Sequence, residues 1–147
     1  MSESGSGDYA GDVDAGQAWE GLKAPDAHLV DVRTRAEWTF VGVPDLSPLG
    51  KEPLFIEWQS YPSMAVAGDF VERLAAHLAA EGVPRDAPLY FICRSGGRSQ
   101  AAAMAMAQAG FGRCYNVADG FEGRLDPARH RGSVEGWKAA GLPWIQS

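Results

Sequence analysis

The chain has 147 residues, an apolar fraction of 46% and a formal net charge of -6, proportions that suit one compact globular domain with an ordinary core. An acidic balance argues against a nucleic-acid surface, which needs clustered Lys and Arg to neutralise phosphate. No apolar run approaches membrane-spanning length, and the Met1–Asp8 start has neither the basic residues nor the apolar stretch of a secretory signal, so the expected compartment is cytoplasmic, with no membrane contact.

Residues 1–12 are rich in Ser, Gly and Asp and poor in apolar side chains; they read as a flexible tail ahead of a single domain over 13–147. From Asp14 the pattern turns helical, with Ala18, Trp19 and Leu22 on one side and Asp14 as cap. Pro25 and Asp26 break that helix. His28–Asp31 and Val32 form a short apolar run, the pattern of a buried strand. Thr34 followed by Glu37 has capping-box spacing and predicts a short helix to Phe40. Residues 41–53 hold Pro44, Pro48 and Pro53 with Gly42 and Gly50, which predicts loop. Leu54–Trp58 reads as a strand. Phe70, Leu74 and Leu78 recur at helical spacing, and Gly82 and Pro84 end that helix.

Leu89–Ile92 is the strongest strand signal in the chain. It runs into Cys93-Arg94-Ser95-Gly96-Gly97-Arg98-Ser99, and the Ala- and Met-rich stretch from Gln100 to Gln108 follows as the best helix by propensity. Cys114–Val117 is a last short strand, and a helix is expected around Ser133–Ala140. Alternating strands and helices predict an α/β fold: a central, mostly parallel sheet of about five strands with helices on both faces. Ligands in such folds bind beyond the carboxyl ends of the strands, where Cys93 falls.

The Cys93 segment carries the chemistry. Gly96 and Gly97 allow the backbone to curl, and a curled loop entering a helix aims N–H groups and the positive end of the helix dipole inward. Arg94 and Arg98 add full charges. Such surroundings favour a thiolate nucleophile and would equally hold a persulfide or the anionic part of a sulfur donor. Ser95 and Ser99 can donate hydrogen bonds to the sulfur. Cys114 has no such loop and reads as structural. Two cysteines are too few for a disulfide scaffold. His28, His77 and His130 share no metal-ligand spacing, so no metal is expected. The tryptophans read as packing residues.

On these residues the chain resembles the rhodanese-like family. Cys93–Ser99 matches its active-site loop. Asp31-Val32-Arg33 with Glu37-Trp38 matches its early segment. Asp119-Gly120-Phe121-Glu122-Gly123 with Trp137 and Gly141-Leu142-Pro143 matches its closing segment. The resemblance implies a single-domain sulfurtransferase with a Cys93 persulfide and ping-pong transfer from thiosulfate or a persulfide donor to cyanide, a thiol or a sulfur-accepting protein. It implies Arg94 and Arg98 as anion-binding residues, backbone N–H groups of 94–99 around the persulfide, and no cofactor. Asp31 and Arg33 are expected to support the loops. No residue pattern assigns an oligomeric state.

The chain departs from the family at Val41-Gly42-Val43-Pro44-Asp45-Leu46, where many members carry a His, and in the insertion at 47–53. The segment 124–133, with Arg124, Arg129, His130 and Arg131, is also long, and an expected place for it is over the pocket. One alternative is a cysteine phosphatase or arsenate reductase. Their resemblance implies five residues between Cys and Arg, whereas Arg94–Gly97 supplies four. The other is a sulfur-relay module serving a protein partner.

Overall fold

The computed structural model describes residues 9–60, 63 and 65–146. Its centre is a sheet of five strands: β1 (Gly11–Val13), β2 (His28–Asp31), β4 (Leu54–Phe55), β7 (Leu89–Ile92) and β8 (Cys114–Val117). They lie in the order β1-β8-β7-β2-β4, and every neighbouring pair is parallel. The expected α/β class and strand number are therefore observed. Two small antiparallel pairs stand apart from it: β3 (Val43–Pro44) with β9 (Trp144–Ile145), and β5 (Gln59–Ser60) with β6 (Ala65–Val66).

The helices are α1 (Ala15–Gly21), α2 (Arg35–Phe40), α3 (Phe70–Ala80) and α4 (Gly97–Gln108), with a 3₁₀ turn at Ser47–Leu49. Both expected caps form. Asp14 accepts from the Gln17 N–H and Thr34 from the Glu37 N–H, and in each case the third residue's side chain returns to the cap. The sheet is buried on both faces, as a parallel sheet must be. Val30, Leu89, Phe91 and Cys114 pack with Phe70, Leu74 and Leu78 of α3 and with Ala102, Ala103 and Met106 of α4. On the opposite face Leu29, Tyr90, Ile92 and Val117 pack with Ala15, Ala18 and Leu22, and with Phe121 and Trp137. The alternation along each strand assigns side chains to these two cores.

Four expectations need correction. The tail was expected through Asp12, but Gly11–Val13 pairs with Tyr115–Val117, because open backbone on the edge of β8 rewards ordering there; residues 1–8 lie outside the described set. The loop over 41–53 contains β3 and the 3₁₀ turn. Val43 and Pro44 are recruited by β9, a pairing partner a hundred residues away that local sequence does not reveal. The strand over 54–58 is shorter, ending at Phe55. The helix around Ser133–Ala140 is a series of turns: Gly136 takes a positive φ of 101°, and its N–H bonds the Asp119 carboxylate.

Among the described residues no helix is long and apolar enough to cross a membrane.

Candidate active site

The site lies at the carboxyl end of β7, the middle strand of the sheet. Cys93 follows Ile92 directly, and the chain turns over Arg94-Ser95-Gly96 into α4. Gly96 caps α4 with φ 105°, a region side chains resist, and a Cβ there would overlap the Ala118 carbonyl oxygen. This turn folds the loop back over the sulfur. The Gly96 N–H reaches Cys93 Sγ at 3.2 Å, the Ser99 N–H at 3.4 Å, and Ser99 Oγ lies 3.2 Å away. Donors at the start of a 12-residue helix thus converge on one atom, and the helix dipole points its positive end at it.

Cys93 is 1% exposed, whereas Arg94, Ser95 and Gly97 are exposed. The sulfur therefore sits beneath a thin surface loop. A second loop clasps the first. The Phe121 N–H bonds the Cys93 carbonyl, and the Glu122 and Gly123 N–H groups bond the Arg94 carbonyl. Gly120 has φ 70°, and a Cβ on it would overlap Arg94 O. The Asp119–Gly123 segment is thus a clasp for the Cys93 loop, and buried Trp137 holds the clasp by donating its backbone N–H to Gly120 O.

The two loop arginines differ. Arg98 forms a two-pronged ion pair with Glu37, Nη1–Oε1 2.7 Å and Nη2–Oε2 2.9 Å, the geometry in which guanidinium–carboxylate pairs are strongest. Burial raises the Glu37 pKa, but the bonds from Arg98 and Thr34 outweigh it and hold the carboxyl down at about 2, against an ordinary 4.5. Arg98 was expected to bind a substrate anion; in the structure its guanidinium is engaged by Glu37 and ties α4 to α2. Arg94 remains exposed at the loop's outer surface.

Asp31 and Arg33 are both fully buried. Arg33 bonds Asp31 through Nε at 2.9 Å and Nη2 at 2.7 Å, donates to Gly42 O at 2.8 Å, and lies 4.3 Å over the Phe121 ring. One guanidinium therefore joins the end of β2, the 41–44 segment and the clasp.

Cys114 stands opposite Leu89, four positions before Cys93, which puts it roughly 13 Å away along the sheet at about 3.3 Å per residue. A disulfide needs Cα atoms within about 7 Å. Cys114 is fully buried in the core, and that burial pushes its thiol up to about 12. The 124–133 segment turns on itself: Arg124 pairs with Glu135, Arg131 bonds Gly123 O, and the His130 N–H bonds Asp126. Among the described residues no group of three or more His, Cys, Asp or Glu could hold a metal ion.

Sequence reasoning missed Asn116 and Asp12. Ser99 Oγ lies 2.5 Å from Asn116 Oδ1, and Asn116 Nδ2 donates to Asp12 at 3.1 Å. The signal was a lone amide in an otherwise apolar strand next to the Cys93 loop, buried here at 2% exposure. The role of Glu37 was also hidden: its capping spacing was visible, its partner Arg98 was not.

The model of the family described as STR4 middle domain matches residues 10–147. An uncharacterized protein of Rickettsia rickettsii is 40% identical over 119 residues, 81% of this chain and 83% of its own length. The chloroplastic rhodanese-like domain-containing protein 4 of Arabidopsis thaliana is 28% identical over 82% of this chain and 22% of its own. Among solved structures, Rv0390 from M. tuberculosis superposes with a TM-score of 0.83 at 49% identity, covering 95% of this chain and 99% of that one. The polysulfide-sulfur transferase homodimer of Wolinella succinogenes shares the fold alone, with a TM-score of 0.58 at 21% identity over 96% of this chain and 80% of that one. The chain belongs to the STR4 middle domain family, and its likeness extends to the rhodanese-like superfamily.

Proposed function

We propose that the protein is a sulfurtransferase that carries sulfane sulfur as a persulfide on Cys93. The observation that carries this reading is the convergence of the Gly96 N–H and the Ser99 N–H on one sulfur at the start of α4. Those donors can hold negative charge on the thiolate and, after transfer, on the persulfide. In the first half-reaction the Cys93 thiolate attacks the outer sulfur of thiosulfate. An S–S bond forms to Cys93, the donor's S–S bond breaks, and sulfite leaves with the electron pair. In the second half-reaction cyanide attacks the terminal sulfur and departs as thiocyanate, restoring the thiolate. A thiol acceptor leaves as its own persulfide by the same electron flow. Donor, thiol and acceptor balance the reaction, so the reading calls on no cofactor.

A small cradle favours this over phosphate chemistry. The two N–H donors reach Sγ itself at 3.2 and 3.4 Å, and Arg98, one position short of where a phosphatase loop would carry its arginine, is paired with Glu37. The burial of Cys93 beneath exposed Arg94, Ser95 and Gly97 favours a second form of the same reading, a relay to a protein acceptor that docks on the loop. The test is thiocyanate release from thiosulfate and cyanide beside hydrolysis of an aryl phosphate. Thiocyanate without phosphate release supports transfer; the reverse result overturns it. Persulfide formation with slow thiocyanate release selects the relay.

A further inference from the structure

The sulfur has two fixed donors and one that can turn. The N–H groups of Gly96 and Ser99 are held by backbone. The Ser99 hydroxyl has a single hydrogen and three neighbours: Asn116 Oδ1 at 2.5 Å, Gly96 O at 3.2 Å and Cys93 Sγ at 3.2 Å. The shortest contact takes the hydrogen. The Ser99 oxygen is then left to face the sulfur as an acceptor, which suits a thiol S–H and not a thiolate.

What makes Asn116 an acceptor here lies one step further out. A carboxylate can only accept, so the Asp12 carboxylate takes the amide nitrogen of Asn116, Nδ2–Oδ1 3.1 Å, and turns the amide oxygen inward to Ser99. Asp12 is exposed on the edge strand β1, and the Tyr9 hydroxyl also donates to it at 2.7 Å. The polarity of the whole line, from the surface to the sulfur, follows from that one carboxylate.

We propose that Asp12 and Asn116 are positioning residues that hold the Ser99 hydrogen away from the sulfur, keeping the resting Cys93 as a thiol that donates to Ser99. The charged form of the sulfur must draw that hydrogen off Asn116. Once Asn116 no longer competes, a charged sulfur outbids the Gly96 carbonyl for it, because hydrogen bonds to ions are the stronger ones. The edge strand thereby restrains the reactivity of the thiol through two intervening side chains, Asn116 and Ser99. This rests on Cys93 being the reactive group of the proposed transfer, but it can be read without any sulfur donor.

The charged groups around the loop are Arg94 at its outer surface, Arg98, paired with Glu37, the buried Asp31–Arg33 pair, and Asp119 and Glu122 of the clasp; all stay unchanged in the test. The full-length chain and its Asn116→Leu variant are alkylated with iodoacetamide across pH, and Cys93 is followed by peptide mass mapping, which separates it from Cys114. The expected result is alkylation about tenfold faster at about pH 6, the worth of one modest hydrogen bond, and an unchanged rate at about pH 10, above the ordinary thiol range of about 8.5. Adding Ser99→Ala abolishes the gain. A gain of equal size at every pH indicates only a loosened loop and overturns the proposal, as does no gain, or a gain that survives loss of the hydroxyl. Asp12→Ala lies at the surface and keeps the test open if Asn116→Leu does not fold: it gives a gain of the same sign that also depends on Ser99, whereas a pure charge effect persists in Ser99→Ala. Failure of the native protein to release thiocyanate would count against sulfur transfer and leave this alkylation result to stand or fall by itself.

Discussion

Cys93, Arg98 and Arg33 divide the labour at the site, and each predicts a different defect. Cys93→Ser keeps a hydroxyl where the sulfur sits, so the fold survives; circular dichroism and thermal melting should match the native protein while sulfur uptake, read by mass, is lost. Arg98→Ala removes the partner that holds α4 to Glu37. The expected outcome is a destabilised protein with a loosened loop, visible as faster amide exchange at Gly96–Ser99, and not a selective loss of anionic donors. A normal melt with weakened use of thiosulfate alone would restore the simpler role of an anion contact. Arg33→Met leaves Asp31 buried without its cation, a loss of about 3–5 kcal/mol, measurable as a drop in the urea midpoint.

At the level of elements, the loop works because two segments distant in sequence close on it. The clasp of residues 119–123 approaches Arg94 so closely that Gly120 has no room for a side chain. Gly120→Ala should therefore displace the Cys93 loop, lowering both stability and alkylation selectivity for Cys93; an unaffected loop, judged by its amide chemical shifts, would contradict that role. Much of this was legible in the chain. β7, the body of α4, the Asp14 cap and the Thr34–Glu37 capping box follow from local spacing, although α4 begins at Gly97 and not at the expected Gln100, and Phe70, Leu74 and Leu78 bury the face their period implies. Cys93 was legible as the candidate because the N–H groups that reach its sulfur come from Gly96 and Ser99, just after it in the chain. What stayed hidden is non-local: the pairing of Val43 with Ile145, the reach of Arg98 to Glu37, and the line from Ser99 through Asn116 to Asp12. Turns at 133–140 resembled a helix because their apolar residues, Trp137 among them, are spaced for burial, while Gly136 breaks the backbone.

Across the whole molecule the site couples to stability through Glu37. Its carboxyl ionises at about 2 in the folded chain, against 4.5 ordinarily. The unfolded chain therefore binds this proton more readily, so the contribution is complete above about pH 4.5 and is lost as pH falls towards about 2. Glu37→Gln should lower the urea midpoint at neutral pH and flatten its decline over that acid window; an unchanged acid limb would show that the pair contributes nothing. Two cores on opposite faces of one sheet hold β7 in the middle, and that placement keeps Cys93 fixed while the loops around it turn. The most direct measurement is the intact mass of the protein after thiosulfate, before and after cyanide. One added sulfur atom, located on Cys93 and removed by cyanide with release of thiocyanate, is the predicted result. An unaltered mass with thiosulfate and with a persulfide donor alike would contradict the account.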